Sequence, residues 1–144
     1  MIGSSDIVIE AAPELVWKVL TTFRRWPSWN PDVKSVSMRG AVLEGSEFHW
    51  TARPGTIRST IRHVDAPHRI AWTGRTMGIT AIHAWELEPL QGKTLVRTQE
   101  SFAGLIARIA RGSLQRVLDK ALADGLRYLK DEAEQRAARQ LRAA

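Results

Sequence analysis

Two polar side chains of this sequence lie where they could exchange a proton. His83 belongs to the segment ITAIHAWELEP, and Glu100 belongs to the segment KTLVRTQESF. Both segments alternate between apolar and polar residues, which is the pattern of a β-strand with one buried face. In each strand the alternation puts this polar residue on the face that also carries the apolar residues. The sequence therefore predicts an imidazole and a carboxyl group inside the protein.

The spacing of the two segments predicts that His83 and Glu100 lie opposite each other. Gln91-Gly92 separates the segments and is short enough for a tight hairpin turn. A turn centred there pairs Leu87 with Val96 and therefore His83 with Glu100 on neighbouring strands. A carboxylate raises the pKa of a neighbouring imidazole, whereas burial lowers it. Such a pair could hydrogen-bond internally, orient a ligand, or act as an acid and a base.

The elements that carry this pair follow from periodicity. Asp6–Ala11 predicts a first strand, and Pro13 predicts the start of a helix with apolar positions at helical spacing. Two prolines limit a second short helical turn to Arg24–Trp29. Six further strands, joined by short turns such as Arg53–Gly55, favour antiparallel pairing. These strands are predicted at Val33–Arg39, Glu47–Ala52, Thr56–Val64, Arg69–Thr73, Ile79–Glu88 and Thr94–Phe102.

The last part of the sequence has a helical period. Its apolar stripe consists of Leu114, Val117, Leu118, Ala121, Leu122, Gly125, Leu126 and Leu129. Gly112 is expected to separate a short leading turn, Leu105–Arg111, from this helix. Beyond Lys130 the stripe thins, which predicts a frayed helical tail over residues 131–144. We expect one domain over residues 1–144, with its core at about 6–130, and an α+β fold in which a seven-stranded antiparallel sheet buries one face against the helix.

Three segments resemble motifs of the START-like (SRPBCC) superfamily, which includes polyketide cyclases and dehydrases, lipid-transport proteins and relatives of the birch-pollen allergen. VIEAAPELVWKVLTTFRRWPSWNPDV resembles the first strand, helix and W-x-x-W-x-P turn of that family. APHRIAWTG resembles its proline-led turn into a strand with Trp, and HAWELEPLQGKTLVRTQESFAG resembles its final hairpin. The resemblance covers about Asp6 to Tyr128. It implies the helix-grip fold: a curved seven-stranded sheet wrapped around the C-terminal helix, two short helices after strand 1, and a cavity for an apolar or amphipathic small molecule.

Strand parity and the helix stripe select the residues that would line such a cavity. Trp26 and Trp29 are expected to plug one end of the sheet; the alternative is a mixed role in which Trp29 forms part of the cavity mouth. The Gly74–Gly78 loop is expected to cap one end of the cavity. The predicted ligand-binding residues are Trp29, Phe48, Trp50, Ile61, Trp72, His83, Trp85, Glu100, Leu118 and Leu122.

Three functions remain open from the sequence. The first is binding of a hydrophobic or aromatic small molecule, lipid-like or polyketide-like, in the cavity. The second is a cyclase or dehydratase that uses His83 and Glu100 as acid and base. The third is a partner-binding module that works through the outward arginines Arg58, Arg62 and Arg97. The family's enzymes share no catalytic motif that maps onto this sequence, so the residues do not choose between binding and catalysis.

Other chemistries find less support. The four histidines lack metal-ligand spacing, so we predict no metal site, and the absence of cysteine excludes disulfides and thiolate nucleophiles. Neither a phosphate-binding loop, a dinucleotide fingerprint nor a G-x-S-x-G elbow is present, and we predict no cofactor. Lys and Arg exceed Asp and Glu to give a net charge of +6. The basic residues are dispersed, which favours a solvated surface over a nucleic-acid partner. Their densest set is Arg53, Arg58, Arg62, Arg69 and Arg75.

Composition also bears on location. The chain is 44% hydrophobic and 25% charged, which is typical of a soluble globular protein. No apolar run approaches the roughly 20 residues that span a bilayer, so no integral membrane association is predicted. The first residues lack a basic region followed by an apolar core. We therefore expect a cytoplasmic protein, as a monomer or a homodimer.

Overall fold

The fold is built around one sheet and one long helix. The computed structural model describes residues 1–52, 55–104, 108, 109 and 111–144. The turns predicted at Arg53–Gly55 and Leu105–Arg111 therefore lie partly outside the described residues. Within them, the strands are β1 (Ile2–Ile9), β2 (Val33–Met38), β3 (Glu47–Ala52), β4 (Gly55–Asp65), β5 (Arg69–Thr76), β6 (Ile79–Leu90) and β7 (Lys93–Ala103). They form one antiparallel sheet in the order β1-β7-β6-β5-β4-β3-β2.

The helices flank the sheet in the predicted order. Helix α1 (Pro13–Thr21) begins at a proline with Glu14 in its first turn, where the ring fits and the acid faces the positive end of the helix dipole. A 3-10 turn (Phe23–Arg25) and the short α2 (Trp26–Trp29) lead into β2. The long α3 (Arg111–Ala143) lies against β1 and α1. The predicted α+β architecture of a seven-stranded sheet with a long C-terminal helix is confirmed.

The first strand begins earlier than the sequence predicts. Ile2–Ser5 pair with the end of β7, so β1 starts at Ile2 and not at Asp6. A Cβ on Gly3 would lie 2.8 Å from the Leu118 side chain. The glycine therefore lets β1 and α3 approach closely here.

Two features of α3 also differ from expectation. Gly112 lies within the helix and not ahead of it, since Arg111 before it is already helical. Val117, predicted in the apolar stripe, is 65% exposed, because the neighbouring Leu118 occupies the side of the helix that faces the sheet.

The buried core extends beyond Lys130. Ala133 is fully buried, and α3 is continuous to Ala143. Polar contacts hold this turn against the end of β1: Lys130 Nζ donates to the Val8 carbonyl at 2.9 Å, and Glu134 accepts from the Glu10 backbone N–H at 2.8 Å. The thinning of the apolar stripe after Lys130 therefore does not mark the end of the core, although every residue from Arg139 onward is exposed.

A hairpin turn and an aromatic core position the interior of the sheet. Gln91 and Gly92 connect β6 to β7 with φ values of +52° and +82°, which are the positive angles that a type I′ hairpin turn requires. Phe23, Trp26, Phe48 and Trp72 form an aromatic core with ring centroids 4.5 to 5.8 Å apart.

No helix within the described residues is both long and apolar enough to cross a bilayer.

Candidate functional site

A cavity of about 590 Å³ lies between the sheet and α3. This volume falls within the range of small-molecule binding sites. The sheet supplies an aromatic wall, α3 supplies Ala121, Leu122 and Gly125, and residues 30–34, from the turn after α2 to the start of β2, supply one rim. The cavity is therefore bounded by every layer of the fold.

Seven of the ten predicted site residues line this cavity: Trp29, Trp50, Trp72, His83, Trp85, Glu100 and Leu122. The other three do not border the cavity as the described residues define it. Phe48 packs in the aromatic core, Ile61 is fully buried in the hydrophobic core, and Leu118 closes over Gly3. Parity assigns these three to the correct face, but their neighbours fill the space around them.

The cavity also has walls that the site prediction missed. They include Leu20, Trp26, Ala52, Ile57, Ala121, Gly125 and the segment of residues 30–34. Ala121 and Gly125 stand one turn apart on α3, and their small size is a signal of open space that the sequence contains. Residues 30–32 form the turn between α2 and β2, which no periodic pattern marks, and Val33 and Lys34 begin β2.

The predicted loop Gly74–Gly78 does not cap the cavity. Strand β5 continues to Thr76, and only Met77 and Gly78 form the turn, with φ values of +46° and +74°. This turn borders a second groove on the outer face of the sheet.

His83 and Glu100 lie directly opposite each other on β6 and β7, which confirms the predicted register. Their side chains are 15% and 20% exposed, and both border the cavity. His83 Nδ1 is 3.9 Å from Glu100 Oε2, a separation too long for a hydrogen bond. The gap leaves both groups able to meet a third partner.

Thr98 determines which nitrogen of His83 carries the proton. Its buried hydroxyl donates to the Ala84 carbonyl at 3.2 Å and lies 2.7 Å from His83 Nε2. A hydroxyl has one proton to donate, so towards His83 it acts as the acceptor. His83 is therefore protonated at Nε2, and its unprotonated Nδ1 faces Glu100.

Burial controls the protonation of the pair. It lowers the pKa of His83 from 6.5 to about 3 and raises the pKa of Glu100 from 4.5 to about 7. The two groups are consequently neutral neighbours at mildly acidic pH and not an ion pair. Glu100 changes its charge close to neutral pH, whereas His83 stays neutral there.

The tryptophans of the cavity wall differ in their hydrogen bonding. Trp26 Nε1 donates to the Leu20 carbonyl at 2.8 Å, and Trp50 Nε1 donates to Ser59 Oγ at 3.0 Å. The buried Nε1 atoms of Trp29 and Trp85 have no acceptor among the described residues. Each unsatisfied donor costs about 1–3 kcal/mol.

Metal chemistry has no visible site in the described part of the chain. No three of its His, Asp and Glu side chains come together in a group that could hold a metal ion. The polar residues that border the cavity are His83, Glu100 and, at the rim, Asn30, Asp32 and Lys34, together with the tryptophans. Thr98 is not a wall residue and acts through its hydrogen bond to His83.

The sequence of the chain was compared with the profiles of known protein families. The sequence profile of the family described as polyketide cyclase/dehydrase and lipid transport matches residues 3–134. No curated protein matches the chain in sequence.

Solved structures show the same fold at low identity. A START superfamily protein from Mycobacterium smegmatis superposes with a TM-score of 0.82 at 14% identity, covering 93% of this chain and 97% of that one. The Zhui aromatase/cyclase from Streptomyces sp. R1128 gives 0.80 at 16% identity, covering 95% of each chain. A hypothetical protein from Helicobacter pylori gives 0.83 at 17% identity, covering 92% of this chain and 88% of that one.

Proposed function

Because the chain belongs to the polyketide cyclase/dehydrase and lipid-transport family, we propose that it binds a hydrophobic or aromatic small molecule in the cavity between the sheet and α3. The observation that carries this proposal is the cavity itself, about 590 Å³ in volume and with five tryptophans in its wall. An apolar cavity with a few polar groups is the usual form of a small-molecule site. The ligand would lie against Trp50, Trp72 and Trp85.

The polar groups of the cavity would fix the orientation of that molecule. His83 Nδ1 offers an acceptor, and the protonated Glu100 offers a donor. Thr98 holds the imidazole in the tautomer that keeps this acceptor available. A ligand with a hydroxyl or carbonyl oxygen at one end of an apolar body would match this arrangement.

Gly125 provides a direct test, because a side chain added there would enter the open space. A Cβ at Gly125 meets no atom of the described part of the chain within 4 Å, and the residue borders the cavity. Gly125→Leu should therefore fill part of the cavity and abolish the fluorescence gain of Nile red, an apolar dye. Gly112→Leu is the matched control on the same helix, because its Cβ also meets no atom of the described residues within 4 Å and Gly112 is not among the described residues that line the cavity.

The comparison of these variants decides the proposal. Dye binding by the parent protein and by Gly112→Leu, with loss in Gly125→Leu, supports it. Equal dye binding by both variants, or none by the parent protein, contradicts it. Native mass spectrometry of the freshly purified protein would identify any small molecule retained in the cavity.

A second candidate is an enzyme that moves a proton during a cyclisation or dehydration. The specific observation in its favour is Glu100, whose pKa of about 7 suits an acid or base that works near neutral pH. His83, with a pKa of about 3, is a weak base and would orient the substrate. A structural neighbour is an aromatase/cyclase, which is compatible with this candidate. If the molecule recovered by mass spectrometry is converted by the protein, Glu100→Gln should stop its conversion but not its binding.

A further inference from the structure

A second concave site lies on the outer face of the sheet, away from the cavity. This groove has a volume of about 520 Å³ and is bordered by residues of β3, β4, β5 and β6. Four of the residues that border the groove form a row, in which each residue is directly opposite the next on these four adjacent strands. The row, called here the cationic row, consists of His49, Arg58, Arg75 and Thr80.

A second row on the same face has a different charge pattern. Arg69, Glu86 and Arg97 are directly opposite one another on β5, β6 and β7. Arg69 lies 3.5 Å from Glu86, and Arg97 lies 3.0 Å from Glu88. In this compensated row every arginine has a carboxylate partner.

The arginines of the cationic row lack such partners within the described part of the chain. No acidic side chain there forms an ion pair with Arg58 or Arg75. The acid nearest in register, Glu47, lies opposite Thr60 and pairs with neither arginine. Like charges directly opposite each other destabilise a strand pair. The row therefore carries an uncompensated repulsion that an external anion would remove.

The chemistry of the groove selects the type of anion. Opposite residues on antiparallel strands have Cα atoms only about 4.5–5.5 Å apart, so both guanidinium groups can reach one ligand. Each guanidinium presents a planar fork of N–H donors that matches the oxygens of a phosphate group. Thr56 and Thr76 border the same groove with hydroxyl groups. We propose that this groove binds a phosphate-type oxyanion between Arg58 and Arg75.

The groove is separated from the cavity by the sheet. Ile57 and Trp50 face the cavity, whereas their chain neighbours Arg58 and His49 border the groove. A ligand in the groove would not compete for the cavity. The phosphate group could belong to a soluble molecule or to a lipid headgroup, and the experiment must distinguish these two sources.

The test compares two double variants that remove the same charge. Arg58→Gln/Arg75→Gln removes the cationic row, and Arg69→Gln/Arg97→Gln removes an equal charge from the compensated row. Thermal unfolding is measured at low ionic strength with increasing inorganic phosphate, and the dissociation constant is taken from the shift. We expect phosphate to raise the melting temperature of the parent protein and of the second variant. The first variant should bind phosphate weaker by a factor on the order of ten or more.

A vesicle experiment assigns the source of the phosphate group. Co-sedimentation is measured with phosphatidylcholine vesicles, with and without phosphatidylglycerol, for the same three proteins. Binding to the phosphatidylglycerol vesicles that only the cationic-row variant loses indicates a lipid headgroup. A phosphate effect without vesicle binding indicates a soluble ligand.

Three results would overturn the proposal. The first is an equal response of the two double variants in both experiments, and the second is no response of the parent protein to either probe. The third concerns the premise: without phosphate, the cationic-row variant should melt at the same temperature as the parent protein or higher. A lower melting temperature would mean that the two arginines already stabilise the sheet by themselves.

Discussion

Two neighbouring stripes of side chains on α3 face the interior of the protein. One of them packs in the hydrophobic core, and the other borders the cavity. The filled stripe, Leu126, Leu129 and Ala133, is at most 1% exposed and belongs to the hydrophobic core with Val16 and Val96. The open stripe, Ala121 and Gly125, borders the cavity. The helix thus closes one part of the interior with large side chains and leaves another part open with small ones. Stability and ligand binding should therefore be separable by mutation.

The largest expected effect comes from the filled stripe. Leu129→Ala should lower the free energy of unfolding by about 2–5 kcal/mol, because a fully buried leucine leaves a void that the core cannot close. Urea unfolding measures this loss, and Nile red fluorescence of the folded variant should remain. Leu122→Ala is the control on the cavity wall and should cost less, since it enlarges a space that already exists. Equal stability losses, or loss of dye binding in Leu129→Ala, would break the distinction between the stripes.

The next effect concerns the ionisable group on the open side. Burial raises the pKa of Glu100 from 4.5 to about 7, so the folded state holds a proton that the unfolded chain releases more easily. The contribution of Glu100 is therefore fully present below about pH 4.5 and is lost as the pH rises to about 7. In the Glu100→Gln variant the side chain does not ionise, so this loss of stability with rising pH does not occur. At pH 8 the variant should be more stable than the parent protein by as much as about 3 kcal/mol, and at pH 4 the two should be equal.

The pH profile of His83 runs in the opposite direction. Its pKa falls from 6.5 to about 3 on folding, so its contribution to stability rises with pH between these two values. Between about pH 4.5 and 6.5 the two contributions largely cancel in the parent protein. Urea unfolding of the parent and of Glu100→Gln at pH 4, 6 and 8 separates them. A constant difference between the two proteins across this range would mean that Glu100 is not buried in its protonated form.

The smallest effect is expected for two buried threonines on the inner face of β7, one near the cavity and one in the filled part of the interior. Thr98 accepts from His83 on the cavity side, and Thr94 donates to the Ala11 carbonyl at 2.7 Å on the filled side. Replacing either by valine should cost about 1–2 kcal/mol, since a buried polar partner loses its hydrogen bond. Only Thr98→Val should change the ¹⁵N chemical shifts of the His83 ring, because only Thr98 fixes its tautomer. Unchanged shifts in that variant would contradict the tautomer assignment.

Strand alternation by itself predicts much of the cavity wall. It assigns Trp50, Trp72, Trp85, His83 and Glu100 to the inner face, and the hairpin turn gives the register of the last two. Alternation reports the face of a strand but not the distance to the opposite layer. By alternation, Phe48 and Ile61 are therefore equivalent to Trp50, although aromatic neighbours enclose Phe48 and the core encloses Ile61.

The remaining cavity residues depend on how separate layers meet. The small size of Ala121 and Gly125 indicates space beside the helix, but whether that space stays open depends on the volume of the side chains across from them. Residues 30–32 reach the rim because they connect α2 to β2, and a turn has no period that would mark them. The shifted pKa values of His83 and Glu100 also depend on how the layers of the fold meet, because burial causes both shifts. The predicted pair is correct, but the degree of burial that determines its charge comes from the complete fold.

The turn at Gln91-Gly92 has a consequence for residues far from it. His83 and Glu100 are the same number of residues from this turn, and every cross-strand partner in the hairpin is counted from it. An inserted residue that entered the strand ladder and not the loop would shift one strand by a single position and move either His83 or Glu100 to the outer surface. The length of this small exposed turn therefore helps to determine which side chains of β6 and β7 lie opposite each other inside the protein. Changes in that loop should alter the cavity without a single substitution in its walls.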